Sequence, residues 1–146
     1  MALEFSPEAY RKFEATVNRY PKKEAAMLPV LNLAQQEFGY LGQEAIEYVA
    51  KIMEQPPARV RGVVSFYTML NMKPVGRHHI QVCRTLPCAL RGAEKITSFI
   101  GQKLGIEVGQ TTADGKFTLS EVECLASCGT APMMQINDDY FEDLTE

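Results

Sequence analysis

The sequence predicts an α+β chain, with a helical bundle first and a small α/β half after it. Three observations predict this. Apolar residues in the first 70 positions recur at helical spacing. The run MKPVGR at 72–77 then interrupts the pattern with a proline and a glycine. Beyond it, strand-like stretches stand on both sides of one further helical stretch. A chain of 146 residues has room for one domain or two small ones. The boundary is expected at 72/73, giving segments 1–72 and 73–146.

Each element has its own signal. Ser6-Pro7-Glu8 starts a first helix with a capping hydroxyl, a proline at the first helical position and an early acid. Tyr10, Phe13, Val17 and Tyr20 form its expected stripe. A second helix carries Met27, Leu31, Ala34 and Phe38 and ends at Gly39, with Pro29 either kinking it or sitting in its first turns. Ile46, Val49, Ala50 and Met53 mark a third helix. Val60, Val63, Val64 and Tyr67 mark a fourth, after Pro56-Pro57. Each is amphipathic and needs neighbours, so a bundle follows. In the second half, His78 to Arg84 reads as a strand and Ala89 to Leu104 as one helix. Asp114-Gly115 is a turn, Lys116 to Glu123 a second strand and Met133 to Ile136 a third, followed by the turn-like Asn137-Asp138-Asp139.

Composition narrows the function. Hydrophobic content of 46% and charged content of 23% suit an ordinary globular protein. A net charge of −3 leaves no basic excess to neutralise phosphates, so nucleic acid is not an expected partner. No apolar run reaches membrane-spanning length. The start, MALEFSPEAYRKFEA, lacks the layout of a secretory or transit signal. A reducing bacterial cytoplasm is the expected compartment, and there paired cysteines bind metal more often than they form disulfides.

All four cysteines fall in two tight pairs. Four residues separate Cys83 from Cys88, three separate Cys124 from Cys128, and thirty-five lie between the pairs. Both pairs are expected at strand ends or in the loops just after them. Soft thiolates select zinc or iron–sulfur clusters. Structural zinc uses pairs at two to four residues' separation, and a [2Fe–2S] cluster takes two thiolates per iron. Spacing alone admits both, as it admits disulfides or free thiols. Neither pair has the two-residue spacing of a thioredoxin-type redox dithiol. His78 and His79 are adjacent, hence on opposite strand faces, and match no Rieske spacing. The dispersed glycines make no phosphate loop or dinucleotide fingerprint. The acidic tail Asp138, Asp139, Glu142, Asp143 and Glu146 reads as solvated surface.

The stretches VCRTLPCALRGAEKI and GQTTADGKFTLSEVECLASCGTAPMMQINDDYFEDLT resemble the thioredoxin-like [2Fe–2S] subunit of bacterial NADH:quinone oxidoreductase, respiratory complex I. PKKEAAMLPVLNLAQQEFGYL and VRGVVSFYTML are similar to that subunit's helical N-terminal half. The resemblance implies a thioredoxin-like second domain holding one [2Fe–2S] cluster, with Cys83 and Cys88 on one iron and Cys124 and Cys128 on the other. It implies an electron-transfer subunit with no complete active site of its own. FMN and NADH are expected on a partner flavoprotein subunit, the helical segment is expected to dock there, and the cluster is expected to exchange one electron with the flavin. The assembly would lie at the cytoplasmic side of the inner membrane without direct insertion of this chain. Related subunits serve NAD-linked hydrogenases and formate dehydrogenases; a zinc-stapled interaction module without redox chemistry is the alternative from another class. Family members usually continue into a last helix where this chain stops at Leu144-Thr145-Glu146.

A cluster with four thiolates is anionic and becomes more so on reduction, so its potential should be low unless backbone N–H groups stabilise it. Ala126, Ser127 and Gly129 are small enough to let such groups approach. Arg84 and Arg91 are expected either to raise the potential, to meet an acidic partner, or to be plain solvated charges. Met133-Met134 should give one core and one surface residue, and Ala131-Pro132 admits either peptide isomer.

Overall fold

The structure is a computed structural model that describes residues 3–146; Met1 and Ala2 of the expected helical segment lie outside the described residues. It divides into two compact units, Met1–Pro74 and Val75–Glu146.

Helices build the first unit. Ser6 caps α1 (Pro7–Val17), accepting a hydrogen bond from the Ala9 N–H at 3.2 Å, and Pro7 sits where no helical N–H is needed. The buried face of α1 is carried by Ala9 and Phe13, whereas Tyr10 and Tyr20 are exposed, contrary to the expected stripe. Tyrosine can lie at a rim because its ring is apolar and its hydroxyl is not. A 3₁₀ turn (Lys23–Ala26) leads into α2 (Met27–Phe38). Pro29 occupies the first turn of α2, where its missing N–H forfeits no intrahelical bond. Then come α3 (Gln43–Met53) and α4 (Pro57–Phe66). Tyr67 falls just past α4 on extended backbone, so the last member of that expected stripe is not helical.

The interior of this unit holds Leu31, Leu41, Ile46, Met53, Val60 and Val64. Fully burying each such side chain stabilises by roughly 1.5–3 kcal/mol before the entropy of ordering is charged against it. Phe5 adds an aromatic corner, with its ring 5.4 Å from Phe38 and 5.1 Å from Tyr48. Gln35 holds the segment after α4: its side chain donates to the Met69 carbonyl at 3.0 Å and accepts from the Asn71 N–H at 2.6 Å.

The second unit is a four-stranded mixed sheet in the order β2-β1-β3-β4. The central strand β1 (His78–Cys83) runs parallel to β2 (Phe117–Val122) and antiparallel to β3 (Met134–Ile136). A tight turn at Asn137-Asp138 returns the chain as β4 (Asp139–Phe141), antiparallel to β3. In register, Ile80 faces Leu119 on one side and Ile136 on the other, while Cys83 stands opposite Val122 at the strand ends. Ile80, Val82, Leu119 and Met133 are buried in a core separate from the helical one. Met133 is fully buried and Met134 only partly. Gly76 admits β1 beside β2: a Cβ there would stand 2.8–2.9 Å from backbone atoms of Lys116 and Phe117.

The single helix expected over Ala89–Leu104 is instead two. A short α5 (Leu86–Leu90) ends at Arg91, and α6 (Ala93–Leu104) begins after Gly92. Gly92 has φ +95°, a backbone state open to glycine and closed to a continuing α-helix. The break lets α6 pack along β1 and β2 while α5 stays at the end of the sheet. The Ala131-Pro132 peptide is cis. Residues 142–146 form no helix, and among the described residues no helix is long and apolar enough to cross a membrane.

Candidate metal centre

The parallel pair β1/β2 brings the two cysteine segments to one end of the sheet. Cys83 is the last residue of β1, and Cys124 follows the last residue of β2 by two positions. Cys88 lies one turn into α5, not in a loop as expected, and Cys128 opens the 3₁₀ turn Cys128–Thr130. Cys83 and Cys88 are buried at 2% and 1% exposure, while Cys124 and Cys128 are exposed; all four are free thiols. The site is thus walled on one side by the sheet core and open on the other.

The geometry within the pairs fits thiolates that share a metal. The Sγ atoms of Cys124 and Cys128 are 3.9 Å apart. Two sulfurs each about 2.3 Å from one tetrahedral metal stand about 3.8 Å apart. A disulfide would need about 2.05 Å. Cys83 and Cys88 form a second pair, close enough that each alters the other's ionisation. Among the described residues no group of three or more His, Cys, Asp or Glu is gathered tightly enough to hold a single ion. Two pairs are what the structure presents.

Electrostatics links the pairs. Burial opposes ionisation of the Cys83 thiol, yet N–H donors from Leu125 and Thr85, together with Cys88, outweigh it and hold its pKa below the ordinary thiol value. Burial pushes Cys88 up, aided by Cys83 and by charge on Cys128, and the Met133 N–H partly opposes it. Cys128 is pushed up first by its hydrogen bond with Cys124 and by the charge there, and also by Cys83. Thiolates gathered at one sheet end repel one another, and a cation between them would relieve that repulsion. The backbone is already turned to that charge: besides the donors to Cys83, the Ala126 N–H approaches Cys124 Sγ at 3.3 Å. Ala126 reaches this position at φ +64°.

Other residues singled out in the sequence lie outside this cluster. His78 packs its ring against Phe117 at 5.4 Å, and His79 Nε2 meets Ser120 Oγ at 2.8 Å. Arg84 is exposed but not free, since it pairs with Glu123. Arg91 is exposed and its N–H closes α5. Glu142, which sequence reading leaves as surface, and Tyr140, which it does not single out, prove to be part of the site's frame. The Tyr140 hydroxyl donates to the Leu125 carbonyl at 2.9 Å, and the Glu142 carboxylate accepts from the Ser127 and Thr130 hydroxyls. The one sequence signal for them is the turn at Asn137-Asp138, which sends the following strand back beside the sheet.

Comparison with known proteins gives the same picture. The thioredoxin-like [2Fe-2S] ferredoxin family matches residues 13–146. An NADH-quinone oxidoreductase subunit of Rickettsia prowazekii is 52% identical over 136 residues, which is 91% of this chain and 77% of that protein. Its namesake from Rickettsia felis is 53% identical over 136 residues, 91% of this chain and 81% of that protein. The mitochondrial NADH dehydrogenase [ubiquinone] flavoprotein 2 of Dictyostelium discoideum is 47% identical over 146 residues, 98% of this chain and 59% of that protein. Among solved structures, an NAD+-reducing [NiFe]-hydrogenase in the air-oxidized state superposes with a TM-score of 0.71 at 22% identity, and this likeness is one of fold. It covers 82% of this chain, which spans only 20% of the hydrogenase chain. With a family match over most of its length and relatives at half identity, the chain belongs to the thioredoxin-like [2Fe-2S] ferredoxin family.

Proposed function

We propose that this chain is the electron-transfer subunit of an NADH:quinone oxidoreductase, with Cys83 and Cys88 holding one iron and Cys124 and Cys128 the other iron of a single [2Fe–2S] cluster. The observation that carries the assignment is the pairing itself: two thiol pairs at one sheet end, one with sulfurs 3.9 Å apart, within electrostatic reach of each other. When bound, such a cluster supplies a one-electron carrier. The chain's own residues supply the rest. Buried Cys83 and Cys88 anchor the site to the sheet core and exclude water from that side. The N–H groups of Leu125 and Thr85 favour the thiolate form of Cys83, that of Met133 works the same way on Cys88, and the Ala126 N–H points at Cys124 Sγ. The exposed Cys124–Cys128 loop leaves the other side open to a partner.

The partner in this reading is a flavoprotein subunit that binds NADH and FMN, which makes hydride oxidation the partner's task. The names of relatives at 52–53% identity support the respiratory assembly, whereas the hydrogenase resemblance is one of fold alone. Attachment through such an assembly would hold the chain at the cytoplasmic face of the membrane. Iron and acid-labile sulfide analysis of anaerobically purified protein tests the site. About two of each per chain are expected, with a reddish-brown colour that bleaches on reduction. Colourless protein carrying stoichiometric zinc would overturn the redox reading and leave an interaction module.

A further inference from the structure

The loop between Cys124 and Cys128 is clasped from outside by the chain's last segment. The Asp143 N–H donates to the Thr130 carbonyl at 2.8 Å and the Leu144 N–H to the Pro132 carbonyl at 3.0 Å. Ser127 and Thr130 both donate to Oε1 of Glu142. Tyr140, on β4, donates its phenolic O–H to the Leu125 carbonyl at 2.9 Å. Among these contacts, that of Tyr140 reaches a sulfur through a single peptide group. The Leu125 carbonyl and the Ala126 N–H belong to one planar amide, and that N–H points at Cys124 Sγ, 3.3 Å away.

Hydrogen bonds in series across an amide strengthen one another. Electron density drawn to the carbonyl oxygen leaves the N–H a better donor. The loop does not hold this amide by its own preference, because Ala126 stands at φ +64°, where a non-glycine residue is strained. An outside contact has to hold it, and the phenol provides one.

We propose that Tyr140 is a positioning residue for Cys124, its hydroxyl fixing and polarising the 125–126 amide whose N–H stabilises negative charge on that sulfur. The proposal rests on the [2Fe–2S] reading of the four cysteines. Charge gained on reduction is shared with the ligand sulfurs, so a stronger N–H donor favours the reduced state.

The full chain tests this in three forms: wild type, Tyr140→Phe, and a chain with 3-fluorotyrosine at position 140, whose O–H is the stronger donor. Iron and acid-labile sulfide are measured first, then the reduction potential by mediated titration followed by EPR. In Tyr140→Phe, water replaces the phenol at the carbonyl without being held there. The reduced-to-oxidised ratio at a fixed potential should therefore fall only about two- to threefold. That is a shift of about 20–30 mV to the negative at 59 mV per tenfold change for one electron. Fluorotyrosine should shift the potential the other way. A merely structural contact would not give shifts of opposite sign. An unchanged potential in fully loaded Tyr140→Phe, or shifts of the same sign in both variants, overturns the proposal. If Tyr140→Phe loses iron, the fluorotyrosine chain, which keeps the hydroxyl, decides alone: a potential unmoved or lowered overturns it. A wild-type chain without iron and sulfide would instead overturn the cluster reading, and the proposal with it.

Discussion

Arg84 and Glu123 join the two cysteine segments across the β1/β2 pair. Arg84 follows Cys83, Glu123 precedes Cys124, and the guanidinium donates twice to one carboxylate oxygen, from Nε at 3.0 Å and from Nη2 at 2.8 Å. Thr85 adds its hydroxyl to the other oxygen at 3.3 Å. Both charged groups are solvent-exposed, so the pair contributes little to overall stability. Its effect is local, on the spacing of the two pairs. Glu123→Gln should leave the thermal midpoint almost unchanged yet shorten the time for which the chain keeps iron under a chelator. Equal iron loss from variant and wild type in a timed chelation assay would show that the backbone ladder alone sets the spacing.

Ala126 offers a sharper probe of the loop. At φ +64° a glycine is unstrained and a β-branched residue is close to forbidden. Ala126→Gly should therefore keep wild-type iron content, because relief of strain roughly offsets the added chain entropy. Ala126→Val should lose most of the iron while the sheet and helices persist in circular dichroism. Full iron loading of the valine variant would mean that the loop does not keep this backbone conformation when it binds metal.

Much of this fold is legible in the sequence, for reasons that differ by element. The helices are readable because Ser6-Pro7, Gly39 and the apolar spacing of Ile46, Val49, Ala50 and Met53 act locally. Tyr10 and Tyr20 mislead because an amphipathic ring satisfies a helical stripe whether or not it is buried. The break at Gly92 is hidden because the apolar positions Ala93, Ile96, Ile100 and Leu104 read smoothly back to Ala89. Only the backbone sign at one glycine divides them. The cysteine pairs stand out by spacing, but their donors do not. Leu125, Thr85 and Met133 act through backbone N–H groups, which residue identity does not reveal. Tyr140 and Glu142 act across 12 to 15 residues of sequence, through a sheet return whose register no local pattern states.

The turn before β2 should give a measurable acid dependence. Asp114 accepts hydrogen bonds from the Thr112 hydroxyl at 2.6 Å and the Lys116 N–H at 3.0 Å, which hold its carboxyl down at about 2. A carboxylate whose pKa is lower folded than unfolded stabilises the fold above the unfolded value, near 3.9, and loses that contribution as pH falls toward the folded value. Asp114→Asn keeps an acceptor but no charge. In urea titrations the variant should be less stable than wild type at pH 7, and the gap should narrow between pH 4 and pH 2. A gap that stays constant over that range would assign the loss to geometry and not to charge.

The two units have separate interiors, and this can be tested through Leu31. It is fully buried in the helical core, and every residue of that core lies before Pro74, while every residue of the sheet core lies after it. Leu31→Ala should destabilise the helical unit by about 2–5 kcal/mol and leave iron per chain unchanged, since no cysteine belongs to that core. A fragment covering 75–146 should then fold alone and bind iron, because its strands, α6 and all four cysteines lie within it. The same fragment should co-purify poorly with the flavoprotein partner if the helical unit is what docks there. Co-expression of fragment and full chain, each with the flavoprotein, compares recovery directly. Recovery equal to that of the full chain would remove the docking role from the helices and place it on the exposed face around Cys124 and Cys128.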